Sequence, residues 1–284
     1  MTEYKDVDVS RILNPTAIDL GEYVINPYRG CEFSCLYCYV RSNKTALGDG
    51  RPWGSYVDSR INCVQQLEKE LRVKKPKSVL LGSTTECFQP IEKEKGLSKK
   101  ILEVLNENGI YYSILTRSPL IAEYADLLSK GYCKKIYFTV NSMDDKLKSV
   151  LEPKSPGFEI RFKAIEELAG HHIPVIPYFS PVLPWISDFG PVFERFKSIN
   201  MIELEGLNFN LANINDIFKA IFSAFPDLEG SYQRLLEDRV FYEDTWNDVR
   251  KNAVSCAIRN KKSYNIYIHK FGSYFENKYE GKNE

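Results

Sequence analysis

Three cysteines, Cys31, Cys35 and Cys38, stand within the short run Gly30-Cys31-Glu32-Phe33-Ser34-Cys35-Leu36-Tyr37-Cys38-Tyr39. The spacing Cys-x3-Cys-x2-Cys lets three thiolates take three corners of a cubane [4Fe-4S] cluster from a single loop, and leaves the fourth iron without a protein ligand. An open coordination position separates a metal centre that reacts from one that only holds a fold, as with catalytic and structural zinc. Structural zinc is the bland alternative, together with thiols that meet no metal. Zinc of that kind wants four protein ligands, and no fourth Cys or His lies within twenty residues of Cys38. Seven cysteines, an odd number in a chain of 284 residues, are not a disulfide framework and point to metal or redox chemistry in a reducing compartment.

A reactive loop needs a scaffold, and the chain around it reads as parallel βα units. Candidate strands are Tyr23–Asn26, Ser78–Leu81, Tyr111–Leu115, Lys135–Val140, Ile173–Phe179 and Met201–Glu205, short apolar runs bounded by turn or charge signals. The intervening helices carry start signals: a capping box at Asn62 and Gln65, a cap at Ser98, and Ser118-Pro119 and Ser155-Pro156 as cap and first-turn proline. Six such units predict an α/β fold, a partial (β/α)6 TIM-like barrel whose active face is the C-terminal end of its strands. Residues 1–22 read as an N-terminal arm, 23–206 as the barrel, and 207–284 as a mainly helical C-terminal extension packed on it. In that extension Ile214–Phe225 and Tyr242–Asn260 are expected to be helical and Tyr264–Phe271 a late strand.

Composition excludes some functions. Lys plus Arg number 38 and Asp plus Glu 38, so no global positive field attracts a polyanion such as duplex DNA, and nucleic-acid binding would need a local basic patch. The charge runs Arg72–Lys77 and Lys93–Lys100 fit solvated helix ends and loops. The first thirty residues carry no basic segment followed by an apolar run, and nowhere do about 18 apolar residues follow one another. The expectation is a soluble cytoplasmic protein with no membrane partner.

With the aromatic Tyr37 before its last cysteine, the loop resembles the signature of the radical SAM superfamily. That resemblance implies a [4Fe-4S] cluster whose open iron is chelated by S-adenosylmethionine (SAM). An electron from an external reductant of flavodoxin or ferredoxin type then cleaves SAM to methionine and a 5′-deoxyadenosyl radical, which abstracts hydrogen from a substrate. Polar residues follow successive strands: Gly82-Ser83-Thr84-Thr85-Glu86, Thr116-Arg117, Thr139 with Asn141 and Ser142, and Ser180-Pro181-Val182-Leu183-Pro184. Hydroxyls, an amide, a carboxylate and a guanidinium suit a zwitterionic methionine moiety and a ribose.

Together with Gln89-Pro90-Ile91-Glu92, Ser118-Pro119 and Leu151-Glu152-Pro153, these stretches are similar, in order, to the spore photoproduct lyase-like branch. The resemblance implies that Ser83 and Thr139 approach the SAM methionine end, that Arg117 faces its carboxylate, and that the backbone at Ser180 approaches the adenine. Glu86 stands where many members have a Gly-Gly-Glu that binds the SAM amino group; here that motif is not intact. Tyr37, Ser83, Glu86, Arg117, Thr139, Asn141 and Ser180 are therefore the candidate cofactor-binding residues. Ser83 matches the cysteine that returns hydrogen to the thymine radical in the lyase, and a serine O–H is too strong a bond for that step, which argues against repair of spore photoproduct.

Cys87 is the candidate catalytic thiol, either as hydrogen donor or redox partner; the alternative is a packing residue like Cys63, Cys133 and Cys256. His171, His172 and His269 read as structural, because no second ligand type lies beside them in sequence. Phe33, Tyr37 and Tyr39 read as a shield for the cluster, and the tail aromatics as packing. Two rival functions are a DNA-lesion repair lyase and a non-catalytic metal-binding interaction module.

Overall fold

The computed structural model describes residues 2–43, 47, 49–141 and 145–282, so Ser142 lies outside the described residues. The first elements are β1 (Glu3–Val7), β2 (Asn14–Pro15), β3 (Tyr23–Ile25), β4 (Tyr28–Gly30), β5 (Tyr56–Arg60), α1 (Cys63–Lys74) and β6 (Ser78–Leu81). Next come α2 (Glu92–Lys95), α3 (Leu97–Glu107), β7 (Tyr111–Thr116), α4 (Ala125–Ser129), β8 (Cys133–Val140), α5 (Asp145–Leu151) and α6 (Phe158–Gly170). The rest are β9 (Val175–Val182), α7 (Gly190–Arg195), β10 (Met201–Gly206), α8 (Ile214–Ala224), α9 (Glu229–Glu237), α10 (Arg239–Arg259), β11 (Ser263–His269) and β12 (Glu276–Gly281).

The chain divides into two compact units: one of Met1–Ser34, Asn43–Phe138 and Lys154–Val175, the other of Cys35–Ser42, Thr139–Pro153 and Ile176–Glu284. In the first, strands lie in the order β2-β3-β6-β7-β8. The pairs β3–β6, β6–β7 and β7–β8 are parallel, with Val24 opposite Leu80, Leu80 opposite Ser113 and Leu115 opposite Tyr137. Val79, Leu80 and Leu81 of β6 have no exposed surface, as befits a parallel strand covered on both faces; each such side chain contributes roughly 1.5–3 kcal/mol. Helix α3 turns Leu97, Ile101, Leu102 and Leu105 inward, a spacing that keeps one stripe on the core. A smaller sheet in the same unit pairs β5 with β1 and β4.

Two expected caps are replaced by stronger partners. Asn62 precedes α1 but makes no cap bond; its amide exchanges hydrogen bonds with the backbone of Val9, at 2.9 and 3.0 Å, and so pins the N-terminal arm. Ser98 falls inside α3, where its hydroxyl donates to the Cys87 carbonyl. The amides of Ser98 and Lys99 donate instead to the buried Glu92 carboxyl group, each at 3.0 Å, an acceptor that takes the place of a hydroxyl cap at the helix N-terminus. Ser118 does cap, accepting from Leu120 N, but the turn it opens over Pro119–Tyr124 is a 3-10 helix. After Ser155-Pro156, α6 begins two residues on, with Gly157 at its N-cap.

In the second unit the order is β9-β10-β11-β12. β10 pairs in parallel with β9 and β11, and β12 runs antiparallel to β11. The helices of the tail pack through rings: Phe209 meets Phe218, Tyr242 and Trp246 edge-on and stacks on Tyr232. No helix among the described residues is long and apolar enough to cross a membrane.

Candidate functional site

The cysteine loop passes from the first unit, which holds Cys31, into the second, which holds Cys35 and Cys38; none of the three is in a disulfide. Its opening is braced from the loop after β6. Gly30 has φ +84°, and a Cβ there would collide with the Tyr56 carbonyl at 2.2 Å, so only glycine turns the chain into Cys31 here. The Thr85 hydroxyl donates to the Gly30 carbonyl, and Glu32 N donates to Gln89 Oε1 at 2.9 Å.

The remainder of the loop is braced inside the second unit. Leu36 N donates to the Leu151 carbonyl at 2.9 Å, and the Leu36 carbonyl accepts from Asn213 Nδ2 at 2.7 Å. Arg41 Nε donates to the Cys35 carbonyl at 2.9 Å. Burial pulls the Arg41 guanidinium below its ordinary pKa, while Cys38 and Cys35 pull the other way. Tyr37 OH donates to Glu152 Oε1 at 2.7 Å, and Asn141 Nδ2 donates to both. That leaves Asn141 Oδ1 buried with no hydrogen-bond partner among the described residues, an acceptor whose desolvation they do not compensate.

The residues after β6 and β7 form a network within the first unit. Ser83 Oγ accepts from Asn26 Nδ2 at 3.3 Å, and Thr84 N donates to Asn26 Oδ1 at 3.1 Å. The Glu86 carboxylate accepts from Thr116 Oγ1 at 2.7 Å, Phe88 N at 3.0 Å and Arg117 N at 2.9 Å. Burial raises its pKa, and these three donors oppose the rise. Glu86 thus ties the loop after β6 to the end of β7, which the expectation of a SAM amino contact did not foresee. Arg117 is half-buried, Thr139 is buried next to the last residue of β8, and Ser180 of β9 donates to Glu205 Oε2 at 2.9 Å.

Cys87 has no exposed surface. Burial, then the charges of Glu86 and Glu92, hold its thiol well above the ordinary cysteine pKa. A thiol so placed is out of reach of a molecule arriving through solvent. Thr85, Gln89, Glu152 and Asn213 have structural parts that their residue types alone do not announce.

The family model described as Radical SAM superfamily matches residues 25–188, a stretch containing the cysteine loop and every strand from β6 to β9. This chain belongs to the radical SAM superfamily. As a radical SAM protein it is an enzyme of that class, for which the family implies a [4Fe-4S] cluster and SAM. Among relatives, an uncharacterized protein of Methanocaldococcus jannaschii is 32% identical over 203 residues, 71% of this chain and 76% of the relative. An uncharacterized protein of Mycobacterium tuberculosis is 26% identical over 263 residues, 88% of this chain and 77% of the relative.

Among solved structures, a spore photoproduct lyase variant superimposes with a TM-score of 0.58 at 16% identity, over 78% of this chain and 66% of the lyase chain. Another structure of that lyase holds AdoMet and a dinucleoside spore photoproduct. The radical SAM chain therefore has a lyase-like fold, the partial (β/α)6 barrel expected from its sequence, and spans about two thirds of the lyase's length.

The cysteines and their surroundings suit the group the family implies. Three thiol ligands fit a cluster with one open iron. The orphaned Asn141 Oδ1 fits a donor brought by a ligand.

Proposed function

We propose that Cys31, Cys35 and Cys38 hold a [4Fe-4S] cluster, that SAM completes it, and that the chain acts on the C–H bond of an organic substrate. When bound and reduced by an external flavodoxin- or ferredoxin-type donor, the cluster and SAM supply a 5′-deoxyadenosyl radical for hydrogen abstraction. Asn141 offers its buried Oδ1 to SAM. Ser83, Arg117, Thr139 and the backbone at Ser180 are the further contacts, and Glu86 positions Arg117 from behind.

Tyr37 acts through Glu152 to hold the turn before Cys38, while its buried ring keeps water from that turn. With Ser83 where the lyase has its hydrogen-returning cysteine, and Cys87 buried, thiol-mediated return of hydrogen to a thymine radical is outside this reading.

The single observation that carries this reading is the double bracing of the loop. Backbone and side-chain bonds hold it on both sides of Ser34, and its three cysteines stay out of disulfides. A reconstituted wild-type chain should hold iron and acid-labile sulfide in cluster stoichiometry, and Cys31→Ala or Cys35→Ala should lose both. Retention of wild-type iron by either variant would refute the ligand assignment. Asn141→Ala should keep the iron but weaken the SAM-induced change in the reduced cluster's EPR spectrum.

A further inference from the structure

We propose that Glu205, His269 and Glu276 form a second metal site, taking a divalent cation of the Mn2+ or Zn2+ kind. Glu205 lies next to the last residue of β10, His269 ends β11, and Glu276 opens β12 directly opposite His269 in the antiparallel register. One potential ligand atom from each lies within 4.8 Å of the others. His269 Nε2 is 3.6 Å from Glu205 Oε1 and 4.0 Å from Glu276 Oε2. Ligands sharing an ion at about 2.1 Å stand roughly 3–3.6 Å apart, so small side-chain rotations close the trio on a cation.

His269 itself points to a ligand. It is 7% exposed, and its Nε2 is buried with no hydrogen-bond partner among the described residues. Its Nδ1 faces the Tyr274 carbonyl at 3.3 Å. A carbonyl only accepts, so Nδ1 carries the hydrogen and Nε2 is the ring atom that faces the two carboxylates. Two carboxylates around one ring nitrogen call for positive charge there, a proton or a metal ion, and an imidazole whose other nitrogen donates to a backbone carbonyl is the usual support of a metal-bound histidine.

Glu205 is oriented in the same way. Tyr178 OH and Ser180 Oγ donate to its Oε2 at 2.5 and 2.9 Å, leaving Oε1 turned to His269. One imidazole and two carboxylates suit a hard or borderline divalent ion, not a thiophilic one. Three protein ligands leave further positions for water or an oxygen of a bound molecule. Mn2+ prefers oxygen and nitrogen to thiolate, so its binding can be read apart from cluster assembly.

The full, cluster-loaded chain is titrated with Mn2+ while the EPR signal of the free ion is followed. One equivalent per chain should bind and be displaced by Zn2+, and H269Q and E276Q should each weaken binding at least about tenfold. Glu276 sits at the start of a mostly exposed edge strand, so E276Q keeps the test valid if H269Q fails to fold, as circular dichroism will report. Absence of binding to the wild type, or wild-type affinity in a folded E276Q, would overturn the metal site and leave a histidine–carboxylate ion pair.

Discussion

The Tyr37 hydroxyl donates to Glu152 at 2.7 Å, which fastens the residue before Cys38 to the turn that follows α5. The neighbouring Leu151 carbonyl takes the Leu36 amide, so one short stretch grips the cysteine loop through both backbone and side chain. Glu152 is 1% exposed, and a buried carboxylate that loses a donor is costly. Tyr37→Phe should lower stability by about 1–3 kcal/mol and speed loss of iron to a chelator. Thermal melts and timed iron release check both effects.

The N-terminal arm should detach at low pH. Glu70 accepts from Ile12 N at 2.5 Å, and Lys74 bridges Glu70 while donating to the Leu13 carbonyl at 3.0 Å. Burial raises the Glu70 pKa, but Lys74 and the Ile12 and Leu13 amides outweigh it and hold the carboxyl below its usual 4.5. A depressed folded pKa gives stability that is present above the unfolded value and lost as pH falls through the folded one. Glu70→Gln should therefore lower the melting temperature at pH 7, by an amount equivalent to about 1–2 kcal/mol. The difference from wild type should shrink as the pH drops below that range.

Gly82→Ala should damage the site from behind. Gly82 has φ +88°, and a Cβ there would stand 2.6 Å from the Leu115 carbonyl. Strain and overpacking of about 1–3 kcal/mol each are expected, displacing Ser83 and the Glu86 network. A lower melting temperature together with weaker SAM binding is the predicted result.

Cys87→Ala should cost stability, about 1–2 kcal/mol for a small cavity, without lowering the rate of 5′-deoxyadenosine formation. In the native wild type Cys87 should also resist alkylation. A folded variant that binds SAM but no longer cleaves it would restore a catalytic part for this thiol.

The parts legible in sequence are those carried by local pattern. β6 is readable to the residue because Ser78–Leu81 is a mostly apolar run between Lys77 and Gly82, and the cysteine loop carries the superfamily resemblance that the family model matches. β12 is not readable, because ENKYEG is a charged edge strand with little to bury. The cap at α3 is misread because a distant-looking carboxylate, Glu92, outbids Ser98 for the helix amides. Likewise Glu152, Asn213 and Gln89 brace the loop from far along the chain. The trio Glu205, His269 and Glu276 is not visible in sequence, because the fold gathers it from three strands.

SAM cleavage tests the central claim most directly. The chain is reconstituted anaerobically with iron and sulfide and reduced in the presence of SAM, and 5′-deoxyadenosine and methionine are quantified for wild type and Cys38→Ala. Wild type should release both products, and Cys38→Ala neither above the protein-free background. Equal amounts from the two proteins, or none from a wild-type chain carrying its full cluster iron, would contradict a cluster held by Cys31, Cys35 and Cys38.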